Sequence, residues 1–313
     1  MKMRPVLTTL ASSLAIIATA LEAPQVRVTE ANGKRIIQSN GIPDHDVGQF
    51  PNAGNPHTIE AQKHEFRMTL TPRASTRPQE SRGAFFGVAV NGVPFEAGTA
   101  EFWNGLREWN YEAKSGKINL GLDQNDAHVQ PGGVYHYHGL PTGLIARLGG
   151  GGTLMVHLGW AADGFPIYAG GDAMKQRSSY QLKKGTRPSG SQGPGGAYDG
   201  TFTADYEYVA RSGDLDECNG HVGPTPNHSE GIYHYVVTAE FPYMGRQWRG
   251  EPDNSFMKQG RPPGGGRGGS PGGGPPRRGR RGGPGGPPPP GFGPPPPGFG
   301  PPPGPGGFGP PPN

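Results

Sequence analysis

Between residues 24 and 258 the chain is a series of short apolar–polar alternations, each closed by Gly, Pro, Asn or Asp. Val26–Thr29 and Lys34–Ile37 flank Glu30-Ala-Asn-Gly33, and Asn32-Gly33 is a strong hairpin signal. His64–Leu70 alternates as a strand. Phe85–Phe95 reads as a strand, a tight turn at Asn91-Gly92 and the start of a second strand. Glu101–Tyr111 carries Phe102, Trp103, Leu106 and Trp109, a spacing that fits either a turn and a half of helix or an aromatic-rich loop packed on the core. Thr153–Leu158 is an almost continuous apolar run around His157, which predicts a strand buried on both faces. Trp160–Tyr168 continues it through a turn at Asp163-Gly164, and Phe202–Val209 is a further strand. Asn40–Pro51 and Lys183–Ala197 hold too much Gly, Pro, Asp or Ser for regular structure, and no long amphipathic helix stands out. The expectation is an all-β, single sandwich- or barrel-like domain with long ordered loops.

One stretch breaks the ordinary pattern. In Gly132-Gly-Val-Tyr-His-Tyr-His-Gly139, a strand places Tyr135 and Tyr137 on one face, with His136 and His138 on the other, about 7 Å apart. A second copy, Gly231-Ile-Tyr-His-Tyr-Val236, follows later in the chain. Upstream of the copies stand Ala127-His-Val-Gln-Pro131 and Gly220-His-Val-Gly-Pro224. Thus His128 matches His221, Pro131 matches Pro224 and His136 matches His234, while a longer connection in the second copy adds His228. The echo implies an internal pseudo-repeat of two related hairpins.

With Asn40-Gly-Ile-Pro-Asp-His45, Gly87-Val-Ala-Val-Asn-Gly-Val-Pro-Phe95, Gly159-Trp-Ala-Ala-Asp-Gly-Phe-Pro-Ile-Tyr168 and Leu215-Asp-Glu-Cys-Asn-Gly220, these motifs make 24–258 resemble the YHYH-domain family of exported bacterial proteins. The family is named for the motif that stands here as Tyr135-His-Tyr-His138. The resemblance brings no activity with it, so the chemistry must come from the residues. Val236 departs from the full motif where a repeat would place histidine.

His128, His136 and His138 lie within eleven residues and form a candidate three-imidazole metal site with an open position. Nitrogen ligands without thiolate suit Zn or Cu, and a joining carboxylate shifts the preference to Fe or Mn. Glu101, Asp123 and Asp126 are candidates for an additional ligand or for orienting an imidazole. His45, His221 and His234 are weaker ligand candidates, and His157 in its apolar run reads as structural. Cys218 is the only cysteine, which excludes an intrachain disulfide; it reads as a small buried residue or a sulfur beside His221. No nucleophile stands in a recognisable setting, and Gly149–Gly152 lacks the features of a phosphate loop.

Composition separates two appendages from this domain. Lys2 and Arg4, an apolar run from Val6 to Ala20 and the small residues Ala18-Thr19-Ala20 read as a signal peptide over 1–20. Export to the periplasm, cell surface or exterior follows, with no transmembrane segment expected in the mature chain. Residues 259–313 hold 22 Gly, 21 Pro and six Arg without an acid, which predicts a disordered tail of polyproline II character. The remaining 21–258 carry 21 basic against 25 acidic residues, a net of −4. The basic charge therefore belongs to the appendages, no nucleic-acid face is expected, and the arginines point to anionic cell-envelope polymers as partners. Two functional classes remain: a metal-dependent protein, possible enzyme included, or a non-catalytic envelope- or polysaccharide-binding structural module that stacks sugars on Trp103, Trp109, Trp160 and Trp248.

Overall fold

The computed structural model describes residues 21–150, 155–170 and 176–258. The expected signal peptide (1–20) and the tail (259–313) with its arginines lie outside the described residues. The strands in chain order are β1 Val26–Ala31, β2 Lys34–Ser39, β3 His64–Thr69, β4 Gln79–Glu80, β5 Gly87–Ala89, β6 Pro94–Phe95, β7 Ala127–Gln130 and β8 Val134–Tyr137. They continue with β9 Met155–Ala161, β10 Pro166–Gly170, β11 Tyr180–Leu182, β12 Tyr206–Tyr208, β13 Gly220–Thr225, β14 His228–Val236 and β15 Gln247–Trp248. The fold is all-β. Among the described residues the one α-helix, α1 (Thr142–Arg147), buries Leu144 and Ile145, and it is too short for a helical period to show in the sequence. In the aromatic stretch, Trp103–Gly105 makes a 3-10 turn inside a loop, and Trp109 is the residue that reaches the core.

Eight strands form one sheet in the order β13-β14-β10-β9-β5-β6-β8-β7. The outermost strands β13 and β7 do not pair with each other, so the sheet is open. Its centre is an antiparallel seam in which Gly87 faces Ala161, Val88 faces Trp160 and Ala89 faces Gly159. The two lines of the seam belong to related sequences. Gly87-Val-Ala-Val-Asn-Gly-Val-Pro-Phe95 and Gly159-Trp-Ala-Ala-Asp-Gly-Phe-Pro-Ile167 share Gly, Ala, Gly and Pro at equal spacing, with Asn91 matched by Asp163. The register pairs each position with its partner's mirror position, so an approximate twofold passes through Val88 and Trp160. On either side the same order follows. β6 pairs parallel with β8 through Phe95 and Tyr137, and β10 pairs parallel with β14 through Ile167 and Tyr235. The duplication seen in the histidine hairpins therefore extends over the whole sheet.

Turn residues match this plan. Gly92 and Gly164 close the β5–β6 and β9–β10 turns at φ 81 and 89, a region costly for any residue with a Cβ. The hairpin β1–β2 turns at Asn32 and Gly33, both with positive φ, and with β3 it forms a three-stranded sheet. That sheet contributes Ile37, Phe66 and Met68 to the same buried cluster as Phe86, Phe95, Leu158 and Phe256. Trp248 stacks on Phe86, and its indole N–H donates to the Phe86 carbonyl at 2.8 Å.

The seam leaves no room for side chains at its glycines. A Cβ on Gly159 would stand 2.1 Å from the Val88 carbonyl oxygen. Gly159→Ala is expected to cost about 3 kcal/mol or more, since backbone cannot yield as a side chain does. Gly98→Ala, whose Cβ would meet nothing nearer than 3.8 Å, should stay within about 0.5 kcal/mol of the parent. Urea denaturation of both variants checks the contrast, and equal stabilities would contradict the seam.

Candidate metal centre

Strands β7 and β8 pair antiparallel with His128 opposite His136. The connection runs through Gly132 and Gly133, both at positive φ, which sets the two strands back on each other at this register. Alternation along β8 sends the tyrosines inward. Tyr135 donates to Asp123 Oδ2 at 2.7 Å, and the Tyr137 hydroxyl meets Asn91 Nδ2 at 3.0 Å and His45 Nε2 at 2.6 Å. His136 and His138 take the other face, and His138 stays extended because its N–H donates to the Asp126 carbonyl at 2.7 Å.

The three imidazoles converge. His138 Nε2 lies 2.9 Å from His136 Nε2 and 3.2 Å from His128 Nε2. Ligands about 2 Å from a tetrahedral ion lie about 3.3 Å from one another, so these separations suit a shared ion. The outer nitrogens decide which form each ring takes. His128 Nδ1 is 2.9 Å from the Leu120 carbonyl and His136 Nδ1 is 3.1 Å from the Val134 carbonyl. A carbonyl only accepts, so both Nδ1 atoms carry the proton and both Nε2 atoms present lone pairs inward. His138 Nδ1 is buried without a partner. With its proton on Nδ1, His138 turns a third Nε2 lone pair inward, and a cation is the group that satisfies all three together. Backbone carbonyls that fix the tautomer of metal-binding histidines are a common supporting arrangement.

Burial holds all three rings neutral. His136 and His138 are pushed well below the ordinary histidine range and His128 is lowered, in each case mainly by loss of solvent, with the neighbouring imidazoles lowering the first two further. Beside them stands Glu96, one residue beyond β6. Its Oε2 lies 3.5 Å from His136 Nε2 and has no hydrogen-bond partner, while Oε1 is paired with Lys258. Burial raises the Glu96 carboxyl and Lys258 opposes that rise. Lys258 also donates to Gln130 Oε1 at 3.1 Å. A cavity of about 250 Å³, lined by His57, Thr99, Glu101, Leu120 and Gln130 among others, opens onto the imidazoles and Glu96.

The structure distributes the other expected site residues differently. His45 lies against the tyrosine face, its Nδ1 2.9 Å from the Asp46 carbonyl and its Nε2 at the Tyr137 hydroxyl, so it does not join the three imidazoles. Asp123 also serves that face. It accepts from Tyr135 and from the backbone of Asn125 at 2.9 Å, shaping the turn into β7. Asp126 pairs with Lys114 and accepts from Leu140 N–H at 2.9 Å. Glu101 is exposed at the cavity wall. Glu96 is the carboxylate sequence reasoning missed, because it reaches the histidines only through the parallel pairing of β6 with β8. His221 and His234 form a separate pair in the other half, with their Nε2 atoms 3.0 Å apart. Cys218 is buried and its thiol is pushed up by loss of solvent, which does not suit a thiolate ligand. His157 is lowered to about 4 by burial and packs against Trp160 and Tyr168.

These shifts set the acid behaviour of the metal-stripped chain. A histidine whose native pKa lies below its unfolded 6.5 contributes stability that is complete above pH 6.5 and is lost as pH falls toward the native value. His64, His157 and His234 are each lowered to about 4, and the three clustered rings are lowered too. Asp163, raised to about 6 by burial, acts in the opposite sense, as do Glu96 and Glu112, which burial also raises, so three carboxyls stand against the larger number of lowered histidines. Stability should fall from pH 6.5 to pH 4.5 by up to about 1.4 kcal/mol per pH unit for each histidine involved. Urea midpoints across that range check it, and a flat profile would contradict the buried neutral rings.

Comparison with known proteins places the chain. Searches of curated proteins and of solved structures found no match. Residues 65–250 match the family described as YHYH protein, a span that contains β7, β8, Glu96 and both histidine pairs on the cross-strand register. The chain belongs to the YHYH protein family.

Proposed function

We propose that this chain is an exported metalloprotein that holds one divalent ion through the Nε2 atoms of His128, His136 and His138, with Glu96 as the proton-accepting group beside it. The observation that carries this reading is the inward convergence of the three Nε2 atoms with two outer nitrogens tied to carbonyls. Such an ion would act as a Lewis acid and lower the pKa of a bound water. The three ligand atoms lie within 4.8 Å of one another, and the Glu96 carboxylate does not belong to that set. An all-nitrogen ligand set suits Zn²⁺ or Cu²⁺ rather than Fe or Mn. Glu96 Oε2, unpartnered and 3.5 Å from His136, is placed to take a proton, and Lys258 holds the carboxylate in position through Oε1.

Room for a substrate adjoins the site. A cavity of about 560 Å³ shares Glu96, Gly98, Thr99, Ala100 and Lys258 with the smaller one and is bordered by Arg82, Arg107 and Arg246. The sugar-stacking alternative draws less support. Trp109 and Trp248 are buried, and Arg35 covers the ring of Trp160 at 4.2 Å. Export rests on the charged start and apolar run of residues 1–20, and among the described residues no helix is long and apolar enough to cross a membrane.

Elemental analysis of the dialysed full-length mature chain should show about one tightly held ion per chain. Losing one ligand should exceed the 10- to 100-fold loss typical of an orienting group, so His136→Ala and His138→Ala should each abolish retention through dialysis. Glu96→Gln should keep the ion. Full metal content in both histidine variants would overturn the reading, and loss of the ion in Glu96→Gln would move Glu96 into the ligand set.

A further inference from the structure

The half of the sheet containing β13 and β14 repeats the histidine hairpin with different surroundings. His221 faces His234 across β13 and β14, as His128 faces His136 across β7 and β8. His234 Nδ1 lies 3.0 Å from the Ile232 carbonyl, the counterpart of the Val134 carbonyl on His136. Its proton is therefore on Nδ1, and its Nε2 points a lone pair at His221 Nε2, 3.0 Å away. The third position differs, because Val236 stands where His138 stands in the first half. From outside the repeat, Gln176 enters: its Nε2 is 2.8 Å from His221 Nε2, and its Oε1 is buried without a partner.

No neutral arrangement of protons matches every group here. If the Gln176 amide donates to His221 Nε2, two imidazole lone pairs face each other at 3.0 Å and Oε1 stays unmatched. If the amide is turned over, His221 can donate toward both Oε1 and His234, and the buried amide nitrogen loses its acceptor instead. A buried polar group without a partner costs roughly 1–3 kcal/mol. A cation at the meeting point satisfies both lone pairs and the amide oxygen together. His221 is only partly buried and lies on the outermost strand, so an ion can reach the site from solvent.

We propose that His221, His234 and the Gln176 amide oxygen form a second, weaker transition-metal site, independent of the three-histidine centre. Two imidazoles and one neutral oxygen suit Zn²⁺ or Cu²⁺, with remaining positions open to water. The site lacks both the third imidazole and the carboxylate of the first: Tyr168 occupies the position of Glu96 and packs its ring against His234 at 5.4 Å.

Calorimetric titration of Zn²⁺ into metal-stripped full-length His128→Ala/His136→Ala chain isolates this site, with circular dichroism confirming the fold. One Zn²⁺ per chain is expected to bind. Adding His234→Ala should abolish that binding, adding Gln176→Ala should weaken it by about 10-fold, and adding His228→Ala should leave it unchanged. Absence of binding in the double variant, or binding indifferent to His234→Ala, overturns the proposal whatever the outcome at the first centre. Should the double variant not fold, ring ¹⁵N spectra of the parent chain give the answer. Zn²⁺ beyond one equivalent should shift the Nε2 resonances of His221 and His234, and unmoved resonances overturn the proposal.

Discussion

The two-residue period of β8 governs this molecule. Tyr135 and Tyr137 are fully buried, and their hydroxyls are met inside the protein by Asp123, Asn125, Asn91 and His45. A slip of one residue would put imidazoles where those hydroxyls stand and strip the hydroxyls of their partners. Each unmatched buried group costs roughly 1–3 kcal/mol, so the tyrosines hold the register. The convergence of His136 and His138 on the opposite face then follows from how the tyrosines pack.

The same device operates twice. Tyr233 meets Asp216 at 3.1 Å and Tyr235 meets Asp163 at 2.5 Å. The turns entering the two hairpins also agree. Asp123 caps Asn125 and Ala127, Asp216 caps Cys218 and Gly220, and the residue before each hairpin, Asp126 or Asn219, takes positive φ. Around the seam at Val88 and Trp160, these equivalences make the sheet a pair of related halves joined in one chain. A packing solution that depends on backbone register and internal hydroxyl partners survives duplication because it asks little of the opposite face.

That division explains what could be read from residues alone. The hairpin at Asn32-Gly33, the turns at Asn91-Gly92 and Asp163-Gly164 and the alternation of Tyr135-His-Tyr-His138 are local signals, and the structure carries each of them. The partners of the histidines are not local. Asp123 and Asp126 are close in sequence to His128, yet the turn they build points them to the tyrosine face and to Lys114. Glu96 is far in sequence and adjacent in space, because Phe95 pairs with Tyr137 in a parallel ladder that leaves no short-range trace. The repeat of Gly87–Phe95 in Gly159–Ile167 is a local signal of the residues too. It becomes meaningful when the two segments are seen to pair with each other.

Two positions separate the chemistry of the halves, and neither bears on the register. His138 and Val236 both donate their backbone N–H to the residue of positive φ, at 2.7 and 2.9 Å. Glu96, just past β6, and Tyr168, within β10, each stand one residue after the position that pairs in parallel with the second tyrosine of the motif. Backbone hydrogen bonds there are indifferent to the side chain, so substitution at either position changes what the imidazole face presents without disturbing what the tyrosine face holds. In one half the choice is an imidazole and a carboxylate facing two lone pairs. In the other it is an aliphatic and an aromatic side chain, which pack and donate nothing to an ion. The scaffold that fixes the imidazoles is therefore shared, and the difference between a cluster of three imidazoles and a pair resides in side chains that do not set the register.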